Sequence, residues 1–485
     1  KGRMVAQAAH IPVHLGSMPA SVEAAIQQFT FQPGDIVILN DPYLGGTHLP
    51  DITLVAPVFV EEGPAGRGGR PSRVLVGYVA NRGHHADVGG MTPGSLPLST
   101  SLYQEGFIIP PIRLARRGRL NQEVVALLCR NSRTPDERKG DLAAQVASIR
   151  VGEQRLKEIV ARYGLKSVHE HMEALLDYSE RLVRAAIRDI PQGVYSFKDH
   201  MDDDGITDQP VPIAVTITVK EDEMVVDFTG TSPQRPGSIN APFAVTVSAV
   251  FYVVRCIAGE QVPANEGCMR PVKIVAPKGL LVNPEPQHAV AGGNVETSQR
   301  ITDVLLGAMA QALPRLIPAA SQGTMNNLLI GGHDTVRNKP FVYYETIAGG
   351  MGARPGKDGV SGIHTHMTNT MNTPIEALEF VYPMRLRRYG LRHGSGGKGK
   401  YRGGDGIIRE VEFLTRATVT ILSERRRFAP YGLQGGEPGA PGENVLLRQG
   451  VEEVMLSSKE TLEVQPGDVL SIRTPGGGGW GKAEA

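Results

Sequence analysis

The chain has 485 residues, and 51 Lys and Arg against 50 Asp and Glu leave a formal net charge of +1. That balance argues against a nucleic-acid or membrane surface as the main partner. Apolar residues at 41 % and charged residues at 21 % exclude a disordered chain, and at about 100–200 residues per domain the length allows two to four domains.

With 58 Gly, 35 Pro and 5 % aromatics, the composition favours short strands joined by turns over long helical bundles. Cys129, Cys256 and Cys268 stand far apart. Without a CxxC pair, they offer neither a thiolate metal knuckle nor a disulfide framework, and they suit a reducing cytoplasm. No apolar run reaches the ~18–20 residues that cross a bilayer. No secretory signal opens the chain, and Lys1-Gly2-Arg3-Met4 reads as the middle of a domain.

Taken in order, Ser21 to Ile26 reads as a capped helix and Ile36-Val37-Ile38-Leu39 as a buried strand broken by Asn40-Asp41-Pro42. Ile52 to Val60 forms a second strand, residues 61–72 a polar Gly-Pro hairpin tip, and Val74 to Ala80 a third strand leading into Asn81-Arg82-Gly83-His84-His85-Ala86-Asp87. Residues 121–188 form one long helical region, with apolar positions recurring through Leu142, Val146, Ile149, Leu156 and Ile159. Ile213–Val219 and Met224–Phe228 pair as a hairpin, and helices over 241–257 and 300–317 pack on it. Residues 390–485 are glycine-rich with short strands, ending in a Gly476–Gly479 loop that packs. The expected fold is α+β: mixed sheets, a helical segment in the N-terminal half and a glycine-rich, strand-rich C-terminal half. The expected domains are 1–195 (metal site plus helices), 196–390 (mixed α/β) and 391–485 (glycine-rich β).

The chemistry concentrates in Asn40-Asp41-Pro42-Tyr43-Leu44-Gly45-Gly46-Thr47-His48-Leu49-Pro50-Asp51, between two apolar strands. Imidazole and carboxylate are the ligands that borderline and harder divalent cations prefer. His48 and Asp51 converge in a turn, and Gly45-Gly46 admits close backbone approach to a ligand. His84-His85-Ala86-Asp87 ends the next strand, so three histidines and three aspartates meet in one region. His48, Asp51 and one of His84 and His85 would supply three ligands and leave a position for water. The remaining histidine, with Asp41 or Asp87, would orient ligands or act as general base. The same residues also suit plain turns, with Asp41 and Asp51 as Asx caps.

Four other stretches carry weaker signals. His364-Thr365-His366 puts two histidines on one side of a strand near Tyr344-Glu345-Thr346 and Gly349–Ala353, either a binding pocket or polar turns. Gly292–Thr297 opens a helix, as an anion site or a plain cap. Gly394–Lys400 lacks the phosphate-loop spacing. Arg425-Arg426-Arg427 reads as a solvated or salt-bridged face.

At these residues the sequence resembles the hydantoinase B/5-oxoprolinase family. The matching pieces run in order: Gly2-Arg3-Met4-Val5-Ala6-Gln7-Ala8, His10-Ile11-Pro12-Val13-His14, the Asn40–Asp51 block, His84–Gly90, Gln104-Glu105-Gly106, Gly140–Gln145, Asn294–Arg300, Tyr344-Glu345-Thr346, Thr368-Asn369-Thr370 and Thr474–Gly479. The resemblance implies a B-type component that completes ring opening of a small cyclic amide after an A-type component has phosphorylated it with ATP. ATP would then be used by that partner and not bound here. It implies a hetero-oligomer such as A2B2, and metal ligands at His48, Asp51 and His84 for zinc or manganese. His85, Asp87 and Asp41 would be the catalytic residues. Gly45, Gly46 and Gly89 amides and Glu345 would hold substrate. Two alternatives accompany it: the metal-dependent component of an ATP-dependent ketone carboxylase, and a non-catalytic scaffold for the A-type partner.

Overall fold

The computed structural model describes residues 2–8, 10–62, 72–448 and 453–483. The tip of the predicted 61–72 hairpin lies outside the described residues. Helix α1 (Ser17–Gln28) lies beside a first sheet made of β1 (Ile36–Leu39), β2 (Asp51–Glu62), β3 (Ser72–His84), β4 (Ile112–Arg116) and β5 (Arg119–Leu120), in the order β3-β2-β1-β4-β5. All four β1 residues are buried because α1 packs on one face and helix α3 covers the other.

The helical region is three helices: α2 (Gln122–Arg130), α3 (Pro135–Tyr163) and α4 (Leu165–Arg188). Asn121 caps α2 through the amides of Glu123 and Val124. Pro135 fits the first turn of α3 but could not continue α2. Gly164, at φ +80, breaks α3 from α4 in a conformation L-residues avoid. Apolar periodicity runs through both breaks, so the single region read from it divides. Leu142, Val146 and Ile149 of α3 pack on Ile52 and Leu54 of β2.

The second sheet comprises β6 (Gly193–Met201), β7 (Val211–Lys220), β8 (Glu223–Asp227) and β9 (Val272–Val275). Strand β7 buries Val211, Ile213, Val215, Ile217 and Val219 by strict alternation. Of the two helices expected on it, α5 (Phe243–Ala258) packs on α6 (Ser298–Ala312) and not directly on the sheet, while α6 covers the sheet, where Gly307 lets it lie against the Phe197 ring. This core also takes Val13 and Leu15 from the N-terminal segment.

The remaining elements are β10 (Asn327–Asp334), β11 (Lys339–Glu345), α7 (Ile375–Val381), β12 (Met384–Arg392), β13 (Gly406–Phe413), β14 (Ala417–Leu422), β15 (Glu443–Leu447), β16 (Val454–Leu456), β17 (Lys459–Val464) and β18 (Val469–Arg473). They form sheets ordered β11-β10-β14-β17 and β12-β13-β18-β15-β16, and the first draws strands from both sides of residue 390. The Gly476–Gly479 loop is buried and bonds backbone to backbone, Gly477 N to Gly404 O and Gly478 N to Ala320 O. A side chain at Gly403 would meet the Gly477 carbonyl at 1.9 Å. Among the described residues every pairing of named strands is antiparallel except β8 with β9, and helices pack on these largely antiparallel sheets, so the fold is α+β as expected. Among the described residues no helix is long and apolar enough to cross a membrane.

Candidate metal centre

Register on β2–β3 builds the centre. Asp51 faces His84 and Thr53 faces Arg82 across the ladder. Side chains alternate, so these four share one face, and His85 goes to the other. His48 arrives from the loop after β1, which the chain itself folds. Asn40 donates to the carbonyls of Leu49 and Phe107 and accepts from Ile109 N. Asp41 accepts from Tyr43 N. Gly45, at φ +91, lies where a Cβ would meet the Ala20 backbone at 2.5 Å.

His48 Nε2 lies 3.2 Å from His84 Nδ1, with Asp51 Oδ1 3.2 Å from His84 Nδ1 and Asp51 Oδ2 3.3 Å from His48 Nε2. One ligand atom from each lies within 4.8 Å of the other two, the one such group among the described residues. His48 and Asp51 are 1 % exposed, while 29 % of the His84 side chain opens to a cavity of ≈ 1690 Å³. The cavity walls are mainly apolar and come from the N-terminal segment, β3, α3 and α4.

The donors fit a divalent ion. Two imidazole nitrogens point at one another beside a carboxylate, a set that suits zinc or manganese. Asn294 Nδ2 sits 3.1 Å from His48 Nδ1 and 3.4 Å from Asp51 Oδ2, while its Oδ1 is buried without a partner. Turning that amide over lets Oδ1 accept Nδ1–H and leaves the Nε2 lone pair for a ligand role.

Other groups hold the ligands in place. Gly292–Thr297 proves to be a buried π-turn, Gly293–Thr297, running into α6. Its Gly293 lies where a Cβ would meet Asn240 O at 1.8 Å. The Glu105 carboxylate accepts from Val290 N (2.7 Å) and Ala291 N (3.0 Å), pinning the chain that delivers Asn294. The Tyr344 ring lies 4.9 Å from the His84 ring, and its hydroxyl donates to Asn327, whose amide donates to Glu296.

Burial opposes the Asp51 charge, but the imidazoles of His48 and His14 and hydrogen bonds from His48 and His84 outweigh it and hold the carboxyl well below its usual range. Desolvation lowers His84, and it lowers His14 to about 3. Burial pushes Glu105 up to about 7 and, with help from Glu424, Glu296 up to about 8.

The structure brings His48, Asp51 and His84 together and leaves the other predicted residues apart. His85 is buried on the far face, bonded to Gln145 at 2.9 Å. Asp87 is buried against Arg133 (2.8 Å). Asp41 caps its own turn, and Gly45 and Gly46 pack on backbone. Gly89 lies against Asn131 O, 2.7 Å from where a Cβ would stand. Glu345 lines the cavity, but Arg409 holds both of its oxygens at 2.7 and 2.8 Å. His364-Thr365-His366 is not a strand: His366 sits at φ +58 in a turn, which breaks the expected alternation. In Arg425-Arg426-Arg427 the first is wholly buried on Asp199 and Asp303 and only Arg427 keeps to the surface, paired with Asp208.

Sequence reasoning passes over His14 and Arg82 as site residues, and it names Asn294 and Tyr344 only within a separate candidate anion site and pocket, not beside His48 and His84. Arg82 alone carries a usable signal, standing two residues before His84 on a strand and hence on the same face.

The chain matches the family model described as Hydantoinase B/oxoprolinase over residues 1–483. It is similar to 5-oxoprolinase 1 of Arabidopsis thaliana, 40 % identical over 99 % of this chain and 38 % of that protein. It is 34 % identical to a putative D-/L-hydantoinase B-type component of a Pseudomonas species, over 99 % of this chain and 82 % of that one. The crystal structure of an ATP-dependent caprolactamase from Pseudomonas jessenii superposes with a TM-score of 0.88 at 29 % identity, covering 99 % of this chain and 83 % of that chain. The chain thus spans under two-fifths of the plant protein's length and most of the bacterial component's. With this match running from end to end, the chain belongs to the hydantoinase B/oxoprolinase family.

Proposed function

We propose that this chain is the B-type, metal-bearing component of an ATP-dependent cyclic-amide hydrolase, and that it opens the ring of a lactam or cyclic imide activated by an A-type partner. The observation that carries this is the three-ligand group of His48, Asp51 and His84 at the floor of the cavity. These residues would hold zinc or manganese, which when bound acidifies a coordinated water and polarises a carbonyl. His48 is oriented by Asn294 and His84 by the Tyr344 ring, so the ligand set is stiff. The geometry does not support a proton relay by His85 or Asp87, whose side chains face away from the cavity. The names of the bacterial hydantoinase component and the ATP-dependent caprolactamase support the partner and the nucleotide requirement. The free cysteines fit a cytoplasmic site of action.

The test is elemental analysis of the co-purified complex, then ATP-dependent turnover of hydantoins and 5-oxoproline with and without bicarbonate. One ion per chain, and ring opening that is lost together with the ion in His48→Ala and Asp51→Ala, is the expected result. A metal-free complex with full turnover would refute the reading, and strict bicarbonate dependence would move the protein to the carboxylases.

A further inference from the structure

We infer that His14 is a neutral hydrogen-bond donor to the substrate carbonyl oxygen in this cavity, its tautomer locked by Arg82; this rests on the reading of the cavity as the ring-opening site. His14 ends a 3-10 turn over Pro12–His14, started by Pro12, and it lines the same cavity as His48 and His84. Its side chain is 12 % exposed, with Nε2 3.8 Å from Asp51 Oδ2. That is too long for a hydrogen bond, and His14 is not part of the three-ligand group, so Nε2 is left to meet something else.

The other ring nitrogen settles what Nε2 carries. Arg82 Nη1 approaches His14 Nδ1 at 3.3 Å. A guanidinium has five N–H groups and no acceptor, so Nδ1 must offer its lone pair, and the ring proton must then sit on Nε2. Arg82 has no freedom to do otherwise: Nε donates to Thr53 Oγ1 at 2.8 Å, Nη2 to Ser21 Oγ at 2.7 Å, and Nη1 also to Ser17 Oγ. Ser17 in turn donates to the His14 carbonyl, and Ser21 to that of Gly45. Strands β2 and β3, α1 and the His48 loop therefore converge on one guanidinium, whose contacts go to the protein and not to a ligand. The device yields a fixed Nε2–H beside Asp51 at the wall of the cavity, the donor assigned to the substrate carbonyl oxygen. Such a donor is useful because it is oriented before the reaction begins. It forms and breaks no bond and gives up no proton.

Two measurements test this. In metal-free protein labelled with ¹⁵N-histidine, the ring signal assigned by its loss in His14→Gln should show an acceptor-type Nδ1 and a protonated Nε2. In the complex with its partner, His14→Ala should lower kcat about 100-fold with metal content and KM nearly unchanged. His14→Gln, which restores an N–H, should recover at least about tenfold of that loss. A proton on Nδ1, an unchanged kcat, or loss of the ion from His14→Ala would each overturn the assignment, the last by making His14 a ligand. If the wild-type complex opens no cyclic amide, the functional reading fails, while the tautomer result stands or falls by itself.

Discussion

Replacing Asn294 by alanine should separate metal affinity from folding. The amide lies 3.1 Å from His48 Nδ1, where its oxygen, turned toward the ring, fixes the imidazole that would offer Nε2 to the ion. Loss of a group that orients a metal ligand costs 10–100-fold in affinity, or roughly 1.4–2.8 kcal/mol. The effect on folding has two opposing parts. Truncation leaves His48 Nδ1–H buried without its acceptor, at a cost of about 1–3 kcal/mol, and it also removes the Asn294 NH2, which in the turned-over amide takes the buried position that has no partner and whose own burial cost is of the same order. The net change in the metal-free protein should stay within about 1 kcal/mol. With roughly 2.1 cal/mol/K of unfolding entropy per residue, a chain this long would then shift its Tm by about 1 °C. The assay is competition for Mn²⁺ and Zn²⁺ against a fluorescent chelator, paired with thermal unfolding in EDTA. Affinity that falls by the predicted factor at constant Tm supports the arrangement. Unchanged affinity would show that Asn294 does not orient the ligands, and a Tm drop of many degrees would show that its role is structural.

Two further outcomes follow from buried charges. Because Glu296 is raised from 4.5 to about 8, the native state binds a proton that the unfolded chain lacks between those values. Stability therefore falls as pH rises through that window. Glu296→Gln should flatten the decline between pH 5 and pH 8 in denaturant midpoints, and a decline as steep as wild type would exclude Glu296 as its source. Arg409→Ala should leave the Glu345 carboxylate buried without its counter-ion, held only by Tyr343 and Asn372, and destabilise the fold by up to about 3–5 kcal/mol, as read from urea unfolding. Arg409→Ala combined with Glu345→Leu should be less damaging than Arg409→Ala alone.

Much of the centre is readable because its signals are local. His48 and Asp51 are three residues apart in one loop, and the strands either side of residues 61–72 are plain from their apolar runs. The alternation rule, carried one step further, also sends His84 and His85 to opposite faces, leaving only His84 for Asp51. The mistaken strand at 364–366 and the breaks left unplaced within the helical region 121–188 have the opposite cause. Periodicity records which residues face the core, not where backbone torsions at His366 or Gly164 interrupt the element. Arg425-Arg426-Arg427 is salt-bridged, one of the two readings given for it, but the burial of Arg425 is not legible because its partners, Asp199 and Asp303, lie 226 and 122 positions away.

The sequence by itself determined the candidate ligand set, the first-sheet hairpin and the glycine-rich C-terminal loop, since each depends on residue type and short-range geometry. Tertiary structure alone decided that Asn294, Tyr344, Arg82 and His14 gather around those ligands. Their contacts span long stretches of chain and arise only when a π-turn, a strand edge and an N-terminal turn are packed against one another. Side chains that orient a site need only reach it in space, so apart from the alternation that puts Arg82 on the His84 face no spacing in the sequence records them.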